Sequence, residues 1–194
     1  LSSSSAASDV YKRQDKFCYV STIAAIGERK NMLIDEECEW KENNNPYSKT
    51  KHDAELEVWR GISEGLNAVI VNPGVIIGSG YWRRGSGAFI TQISRGMNYF
   101  PPGKTGFICV KDVVKIMREL MDKNIFSERF LLVAENWTQK DFIYSVCNYL
   151  NLKSPIKKAS KSIMILGLIL DATRSFFLNK RRRTDSIKNS KVKK

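Results

Sequence analysis

The sequence lacks the histidine and cysteine spacing that is typical of a metal centre. It contains one histidine and four cysteines among 194 residues. The cysteines follow no metal-ligand spacing and stand at Cys18, Cys38, Cys109 and Cys147. Because a zinc-type site draws several such ligands together, we expect no metal. His52 lies beside Lys51 in a polar stretch, which favours a surface or helix-packing role.

Long apolar runs are also missing. The most apolar helical pattern, residues 162–178, has an uncharged core of only residues 162–170. A membrane-spanning helix needs about 20 apolar residues, so we expect a core or partner-facing helix and no membrane span. Three of the four cysteines lie in apolar surroundings, which indicates reduced, mostly buried thiols and a cytoplasmic setting.

Acidic residues are scarce near the C-terminal end. Residues 153–194 hold 13 Lys and Arg against two Asp, so they carry +11 of the net charge of +12 and leave +1 for residues 1–152. The basic run of residues 180–183 can bind phosphate groups or acidic surfaces. No aromatic platform or groove-reading motif accompanies it. We therefore expect a solvated basic tail over residues 180–194 and no specific nucleic-acid partner.

Residues 1–14 have the composition of neither a folded segment nor a signal peptide. They resemble translated sequencing-adapter sequence, so we exclude them from the prediction of the fold. A natural disordered N-terminus is the alternative interpretation.

A strand, a helix and a second strand follow one another in the next part of the chain. Residues 17–21 and 66–71 are short, apolar and rich in β-formers, which predicts two buried strands. Between them, Pro46 opens and Gly65 closes a helical pattern over residues 47–64. This order predicts a parallel βαβ unit. The predicted buried stripe of the helix is Ala54, Val58 and Ile62.

Helices and short strands are predicted for the rest of the chain from apolar spacing and turn residues. The helices are 88–95, 113–121 and 139–150, and the strands are 106–110 and 129–134. Asn136 or Thr138 is expected to cap the helix of residues 139–150. The glycine-rich segment 78–87 contains two aromatic residues and two arginines, which favours a loop beside a ligand.

A tyrosine and a lysine stand four residues apart at the start of the first predicted helix. Tyr47 and Lys51 therefore lie on one helix face. An ammonium beside a phenol lowers the pKa of the phenol, which makes Tyr47 a candidate proton donor or acceptor near neutral pH. Tyr149 and Lys153 share the spacing but lack the flanking strands and glycines, and we interpret that pair as accidental.

Two further segments are expected to meet this helix. Thr22 follows the first predicted strand, and Asn72-Pro73-Gly74 follows the second. Parallel sheets place ligand sites at the carboxyl ends of their strands. The sequence therefore predicts one site built from three separated segments.

These segments resemble an extended short-chain dehydrogenase/reductase of the NAD-dependent epimerase/dehydratase group, over about residues 16–160. Within that group the chain is most similar to dihydroflavonol-reductase-like and 3β-hydroxysteroid-dehydrogenase-like proteins. The motifs that carry the resemblance are Val20-Ser-Thr-Ile-Ala-Ala-Ile-Gly27, Pro46-Tyr-Ser-Lys-Thr-Lys51, Val71-Asn-Pro-Gly-Val-Ile-Ile-Gly-Ser-Gly80, Phe100-Pro-Pro-Gly103 and Val110-Lys-Asp-Val-Val114.

The resemblance implies roles for individual residues. Thr22 would hold the substrate oxygen, Tyr47 would act as general acid/base, and Lys51 would lower the pKa of Tyr47 and bind the nicotinamide ribose. The implied cofactor is NAD or NADP, with NADP slightly favoured. The implied cofactor contacts are Val20, Ser21, Tyr47, Lys51, Asn72, Pro73, Gly74 and Val75. The implied substrate contacts are Tyr81, Trp82, Arg84 and Ser86.

The chain departs from the family pattern at its front, because no glycine-rich phosphate-binding turn precedes Thr22. We expect an α/β fold: the C-terminal part of a Rossmann-type doubly wound parallel sheet plus a small C-terminal α/β substrate-binding region. The expected partial dinucleotide-binding domain is 15–80, and mixed substrate-binding and remaining Rossmann elements occupy 81–179. We predict that about three βα units are missing, and that this chain binds the cofactor poorly.

The favoured function is that of a fragment of an oxidoreductase acting on a small-molecule carbonyl or secondary alcohol. One alternative is a nucleotide-sugar epimerase or dehydratase, although it calls for phosphate-binding groups and only Arg83 and Arg84 stand in the substrate loop. The other alternative is a non-catalytic cofactor-sensing or scaffold protein. A homodimer is expected by family likeness.

Overall fold

The computed structural model describes residues 15–26, 34–41, 45–155, 157–160 and 162. The predictions for residues 1–14, for nearly all of the helix at 162–178 and for the basic tail lie outside the described residues. The chain divides into two compact units. The first contains Leu1–Ile76 and Phe107–Ala134, and the second contains Ile77–Gly106 and Glu135–Lys194.

The described residues form eight strands, four α-helices and one 3-10 helix at Ile23–Ala25. The strands are β1 (Phe17–Val20), β2 (Ala68–Pro73), β3 (Val75–Ile77), β4 (Tyr99–Phe100), β5 (Lys104–Cys109), β6 (Glu128–Leu132), β7 (Glu135–Thr138) and β8 (Lys157–Lys158). The helices are α1 (Pro46–Ser63), α2 (Gly85–Ser94), α3 (Val110–Asp122) and α4 (Gln139–Tyr149).

The sheet of the first unit is parallel and has the strand order β1-β2-β6. In the register, Val20 pairs with Val71, and Pro73 pairs with Leu132. The predicted parallel βαβ unit is therefore confirmed, and so is the α/β fold class. One expectation was wrong in part: β1 was predicted to be buried, but its residues are half-buried or exposed. Among the described strands β1 pairs only with β2, so it stands at an edge.

Both faces of the central strand β2 are covered, which explains its complete burial. Val69 and Val71 pack in a cluster with Val113 and Leu120 of α3. Ala68 and Ile70 point to the opposite face and pack with Val58 of α1. Alternate residues of a strand point to opposite faces, so one apolar run supplies both contacts.

Helix α1 is set by strong local signals at both ends. Asn45 caps it by accepting a hydrogen bond from the Tyr47 backbone N–H at 3.1 Å, and Pro46 occupies the first turn. Gly65 follows the helix with φ of 98°, a backbone conformation that favours glycine. These bounds confirm the prediction to within one residue.

The predicted buried stripe of α1 was only partly correct. Val58 is buried as expected, but Ala54 and Ile62 are only half-buried. Ser48 and the charged Glu55 are buried instead. A stripe predicted from apolar residues alone misses a carboxylate whose burial depends on distant partners.

The second unit contains α2, α4 and the parallel pair β4 and β8. The rings of Phe89 and Phe142 stack between the two helices with centroids 6.0 Å apart. Thr138 caps α4 by accepting a hydrogen bond from the Asp141 backbone N–H at 3.1 Å, so the expected cap is confirmed for Thr138. Asn136, the other candidate cap, lies within β7.

Helix α2 begins at Gly85, three residues earlier than predicted. The glycine-rich segment passes directly over its first turn. A Cβ atom on Gly87 would lie 2.3 Å from the Tyr81 carbonyl oxygen, so only glycine permits this approach. The start of α2 is therefore fixed by the segment before it.

Candidate functional site

The carboxyl ends of β1 and β2 form the floor of the candidate site in the first unit. The Ser21 backbone N–H donates to the Val71 carbonyl at 2.8 Å and so extends the pairing of the two strands by one residue. Thr22 then leaves the strand and caps the 3-10 helix, since its Oγ1 accepts a hydrogen bond from the Ala24 N–H at 3.3 Å. The chain turns away at the end of the sheet where ligands of parallel sheets bind.

Lys51 is anchored to this floor. Its Nζ donates to the Val20 carbonyl at 3.1 Å and lies 5.3 Å from the centroid of the Tyr19 ring. Tyr47 stands one helical turn earlier on the same face of α1, and 41% of its surface is exposed. The geometry thus fixes a positive charge at the strand end and leaves a phenol accessible beside it.

Asn72 is fully buried at the end of β2. Its Nδ2 donates to the Thr22 carbonyl at 3.0 Å and to Glu55 Oε2 at 2.9 Å. Both partners are acceptors, so the chemistry fixes which end of the amide faces them. Its Oδ1 has no hydrogen-bond partner among the described residues. Pro73 completes β2, and the Gly74 N–H donates to the Leu132 carbonyl at 3.0 Å before β3 begins at Val75.

The structure therefore brings together some of the predicted site residues by direct contact. Lys51 reaches Val20, Ser21 pairs with the end of β2, and Asn72 holds Thr22. Within the described ranges, no hydrogen bond joins the Thr22 hydroxyl to the side chain of Tyr47 or Lys51. Such bonds in enzymes commonly tighten only when substrate occupies the site.

The predicted substrate contacts lie in the second unit. Tyr81 is 85% exposed, and Trp82 is also exposed. The segment Gly80, Tyr81, Trp82, Arg83 and Arg84 lines a small cavity of about 270 Å³. The Trp82 carbonyl accepts a hydrogen bond from Thr91 Oγ1 at 2.7 Å, which ties the segment to α2. Arg84 precedes α2, and Ser86 lies in its first turn.

A larger cavity in the second unit was not predicted. Its volume is about 600 Å³, and it carries three exposed cationic side chains, namely Arg95, Lys153 and Lys157. Tyr99 and Asn98 also line it. Its two lining segments are far apart in the chain, and neither contains a recognisable motif. Only the clustering of positive charge in the C-terminal part of the sequence could have pointed to it.

Glu55 and Arg129 were also missed. Glu55 is 2% exposed, and its carboxylate accepts hydrogen bonds from Ser21, Asn72 and Arg129. These hydrogen bonds connect Ser21 and Asn72, two of the predicted cofactor contacts, to Arg129 of β6. The one available signal in the sequence was the spacing, because Glu55 follows Lys51 by one helical turn.

The remaining candidate side chains have structural roles. His52 Nδ1 lies 3.2 Å from the Ala25 carbonyl oxygen, and its ring stacks on Trp40 with centroids 4.3 Å apart, as expected for helix packing. Burial raises the pKa of the Cys18 thiol, although the nearby Lys16 opposes the shift.

No three His, Cys, Asp or Glu side chains in the described part are grouped to hold a metal ion. No helix there has the length and apolarity that crossing a bilayer requires.

Comparison with known proteins gives a match to a protein family. The model of the NAD dependent epimerase/dehydratase family matches residues 5–131. A curated relative, Sterol demethylase protein B of Methylococcus capsulatus, is 36% identical over 94 residues, which are 47% of this chain and 29% of that protein.

Two solved structures from Pseudomonas aeruginosa share the fold. A nucleoside-diphosphate-sugar epimerase matches with a TM-score of 0.76 and 18% identity over 97% of this chain and 65% of its own. RMD complexed with NADPH matches with a TM-score of 0.62 and 21% identity over 74% of this chain and 54% of its own. The chain thus spans less than two thirds of the length of each of these proteins.

Proposed function

Because the chain belongs to the NAD dependent epimerase/dehydratase family, we propose that it carries the catalytic end of an NAD(P)-dependent oxidoreductase that interconverts a carbonyl and a secondary alcohol. One observation carries the proposal. The Lys51 ammonium is held on the Val20 carbonyl at the end of a parallel strand, one helical turn from the accessible phenol of Tyr47.

The residues present fit the nicotinamide and ribose end of a dinucleotide. An ammonium has three N–H donors, and Val20 accepts one of them, so two remain for ribose hydroxyls. The ends of β1 and β2, with Val20, Ser21 and Asn72 to Val75, offer backbone groups beside it. We propose NAD or NADP as the cofactor, with NADP favoured by family likeness alone.

The proposed chemistry needs three side chains of this chain. Thr22 Oγ1 holds the substrate oxygen, and Tyr47 gives a proton to that oxygen in reduction and takes it back in oxidation. Lys51 keeps a positive charge beside this proton path and orients the ribose. When bound, the nicotinamide supplies or accepts the hydride. The protein contributes position and electrostatics.

We propose an apolar, ring-containing ketone or alcohol as the substrate. Tyr81 and Trp82 present exposed aromatic surface, and aromatic side chains suit flat apolar ligands. The similarity to Sterol demethylase protein B of Methylococcus capsulatus supports the same class. Arg84 and Ser86 would then contribute the few polar contacts that orient such a ligand.

The test combines a titration with an assay. By calorimetry, we expect the 194-residue chain to bind NAD(H) and NADP(H) only weakly. We expect a longer protein that restores the glycine-rich half to bind one of them at micromolar concentration and to oxidise it with a sterol-like ketone, followed by nicotinamide absorbance. Micromolar binding by the chain itself would refute the first expectation. A longer protein that binds dinucleotide but turns over no apolar ketone would refute the function.

The second candidate function is that of a nucleotide-sugar epimerase or dehydratase. The cavity lined by Arg95, Lys153 and Lys157 favours it, because it offers more cationic groups for a diphosphate than Arg83 and Arg84 alone.

This alternative makes its own prediction. If it holds, UDP binds the chain, and the double variant Arg95→Ala/Lys153→Ala weakens binding at least about tenfold, as losing two phosphate contacts does. Lys115→Ala, at an exposed position of α3, is the matched control and should leave UDP affinity unchanged. Absence of UDP binding, or equal loss in the control, would count against the nucleotide-sugar function.

A further inference from the structure

Glu55 is a carboxylate buried where the predicted cofactor segments meet. Its Oε2 accepts a hydrogen bond from Ser21 Oγ at 2.6 Å and a second from Asn72 Nδ2 at 2.9 Å. Its Oε1 accepts from Arg129 Nη1 at 3.2 Å. The carboxylate therefore joins α1 to the residue after β1, to the end of β2 and to β6.

The partners of Glu55 are themselves anchored. Arg129 also donates to the backbone carbonyl of Glu36, and the Glu36 carboxylate accepts from the Leu131 N–H at 2.8 Å. A buried charge is tolerated only when it is paired and hydrogen-bonded, which this network provides. A buried ion pair is nevertheless weak evidence for stability, since apolar residues of similar volume often serve as well. Stability alone therefore does not explain why a charged network is buried at this position.

Helix periodicity connects Glu55 to the proposed catalytic residues. Tyr47, Lys51 and Glu55 are spaced by four residues and form one stripe along α1. Lys51 contacts Val20, and Glu55 contacts the next residue, Ser21. These contacts at two successive residues fix the position of α1 along its own axis, relative to the strand ends. They also fix the rotation of α1 about that axis.

Asn72 extends the effect to Thr22. The same amide nitrogen that donates to Glu55 also donates to the Thr22 carbonyl. Glu55 thus holds the backbone of Thr22 from two sides, through Ser21 before it and through Asn72 across the sheet.

We propose that Glu55 is a positioning residue, which acts through Ser21 and Asn72 to set Thr22 and the rotation of α1 that presents Tyr47 and Lys51. This inference rests on the proposed oxidoreductase function. Glu55 is itself sealed from ligand by its burial, so it does not join the reaction. Misplacing reacting groups by about 1 Å costs up to about 100-fold in rate.

The main test is Glu55→Gln in a longer protein that has the proposed activity, with Glu57→Gln as the matched control. Glu57 lies on the exposed face of the same helix and pairs only with Arg60 in the described salt bridges. We expect Glu55→Gln to lower kcat by about 10-fold to 100-fold with little change in KM, as loss of transition-state alignment does. Glu57→Gln should leave both unchanged. Unchanged kcat, or a rise in KM alone, would overturn the proposal.

Ser21→Ala guards against a variant that fails to fold. It removes one hydrogen bond and leaves the carboxylate paired with Arg129 and Asn72, so the fold should persist. We expect a smaller loss of kcat in the same direction. A weaker dinucleotide affinity at unchanged kcat would instead show that the Ser21 hydroxyl acts on the cofactor, and would overturn the proposal.

Amide hydrogen exchange does not depend on turnover, so it tests this inference separately from the proposed function. In the 194-residue chain, amide hydrogen exchange at Ser21 and Ala24 should accelerate at least about tenfold in Glu55→Gln, because local opening controls exchange. Exchange at Ser21 and Ala24 should accelerate more than exchange in the core of β2, and Glu57→Gln should alter neither. If the longer protein proves inactive, the function fails, but these rates still decide whether Glu55 positions Thr22. Equal exchange in Glu55→Gln and wild type would refute it.

Discussion

Replacing Tyr47 with phenylalanine is expected to lower kcat by about 10²–10⁴-fold in a longer protein that has the proposed oxidoreductase activity, the usual contribution of a general acid/base. The fold should persist, because the ring is 41% exposed and the Asn45 cap of α1 uses the Tyr47 backbone N–H, not the phenol. Steady-state kinetics on the ketone and the alcohol, together with a urea unfolding curve, measure both effects.

The chain offers a matched control for this substitution. Tyr149 stands four residues before Lys153, which is the spacing of Tyr47 and Lys51. It is 88% exposed and lies far from Tyr47 in the sequence. Tyr149→Phe should leave kcat and KM unchanged. Wild-type kcat in Tyr47→Phe, or an equal loss in both variants, would remove the catalytic assignment.

Replacing Arg129 with methionine is expected to lower the free energy of unfolding by about 3 kcal/mol. Removal of one member of a buried ion pair leaves the other charge uncompensated, which typically costs about 3–5 kcal/mol. We expect the lower end, because Glu55 keeps its hydrogen bonds from Ser21 and Asn72. Urea unfolding of the 194-residue chain, followed by circular dichroism, gives the difference.

Arg118→Met is the corresponding control. Arg118 pairs with Asp122 at 3.9 Å on the exposed face of α3, and its side chain is 84% exposed. Such surface pairs contribute about 0–1 kcal/mol, so the variant should unfold within that range of wild type. If Arg129→Met is no more destabilised than Arg118→Met, the buried network does not hold the first unit together as described.

The sequence predicted those features of the fold that depend on neighbouring residues. Pro46 and Gly65 mark the ends of α1, and Thr138 caps α4, because capping and turn preferences act over a few positions. The parallel βαβ unit followed from the order of apolar runs. The edge position of β1 could not be predicted, because edge or centre depends on how many other strands pair with it.

Local sequence patterns could not predict the polar contacts between distant residues. The burial of Glu55 was not predicted, because its partners Ser21, Asn72 and Arg129 lie 34, 17 and 74 positions away. The contact of Lys51 with Val20, 31 positions distant, was not predicted, although the strand end and the helix were expected to meet. The basic cavity in the second unit similarly joins two segments without a motif of their own.

A crystal structure of a longer protein with a bound dinucleotide and a ketone or alcohol would show whether the ends of β1 and β2, Lys51 and Tyr47 form the active site. We expect ribose hydroxyls on Lys51 Nζ, and a substrate oxygen within about 3.2 Å of both the Tyr47 phenol and Thr22 Oγ1, the reach of a hydrogen bond. A nicotinamide ring bound away from the carboxyl ends of β1 and β2, or a substrate oxygen beyond reach of Tyr47, would contradict it.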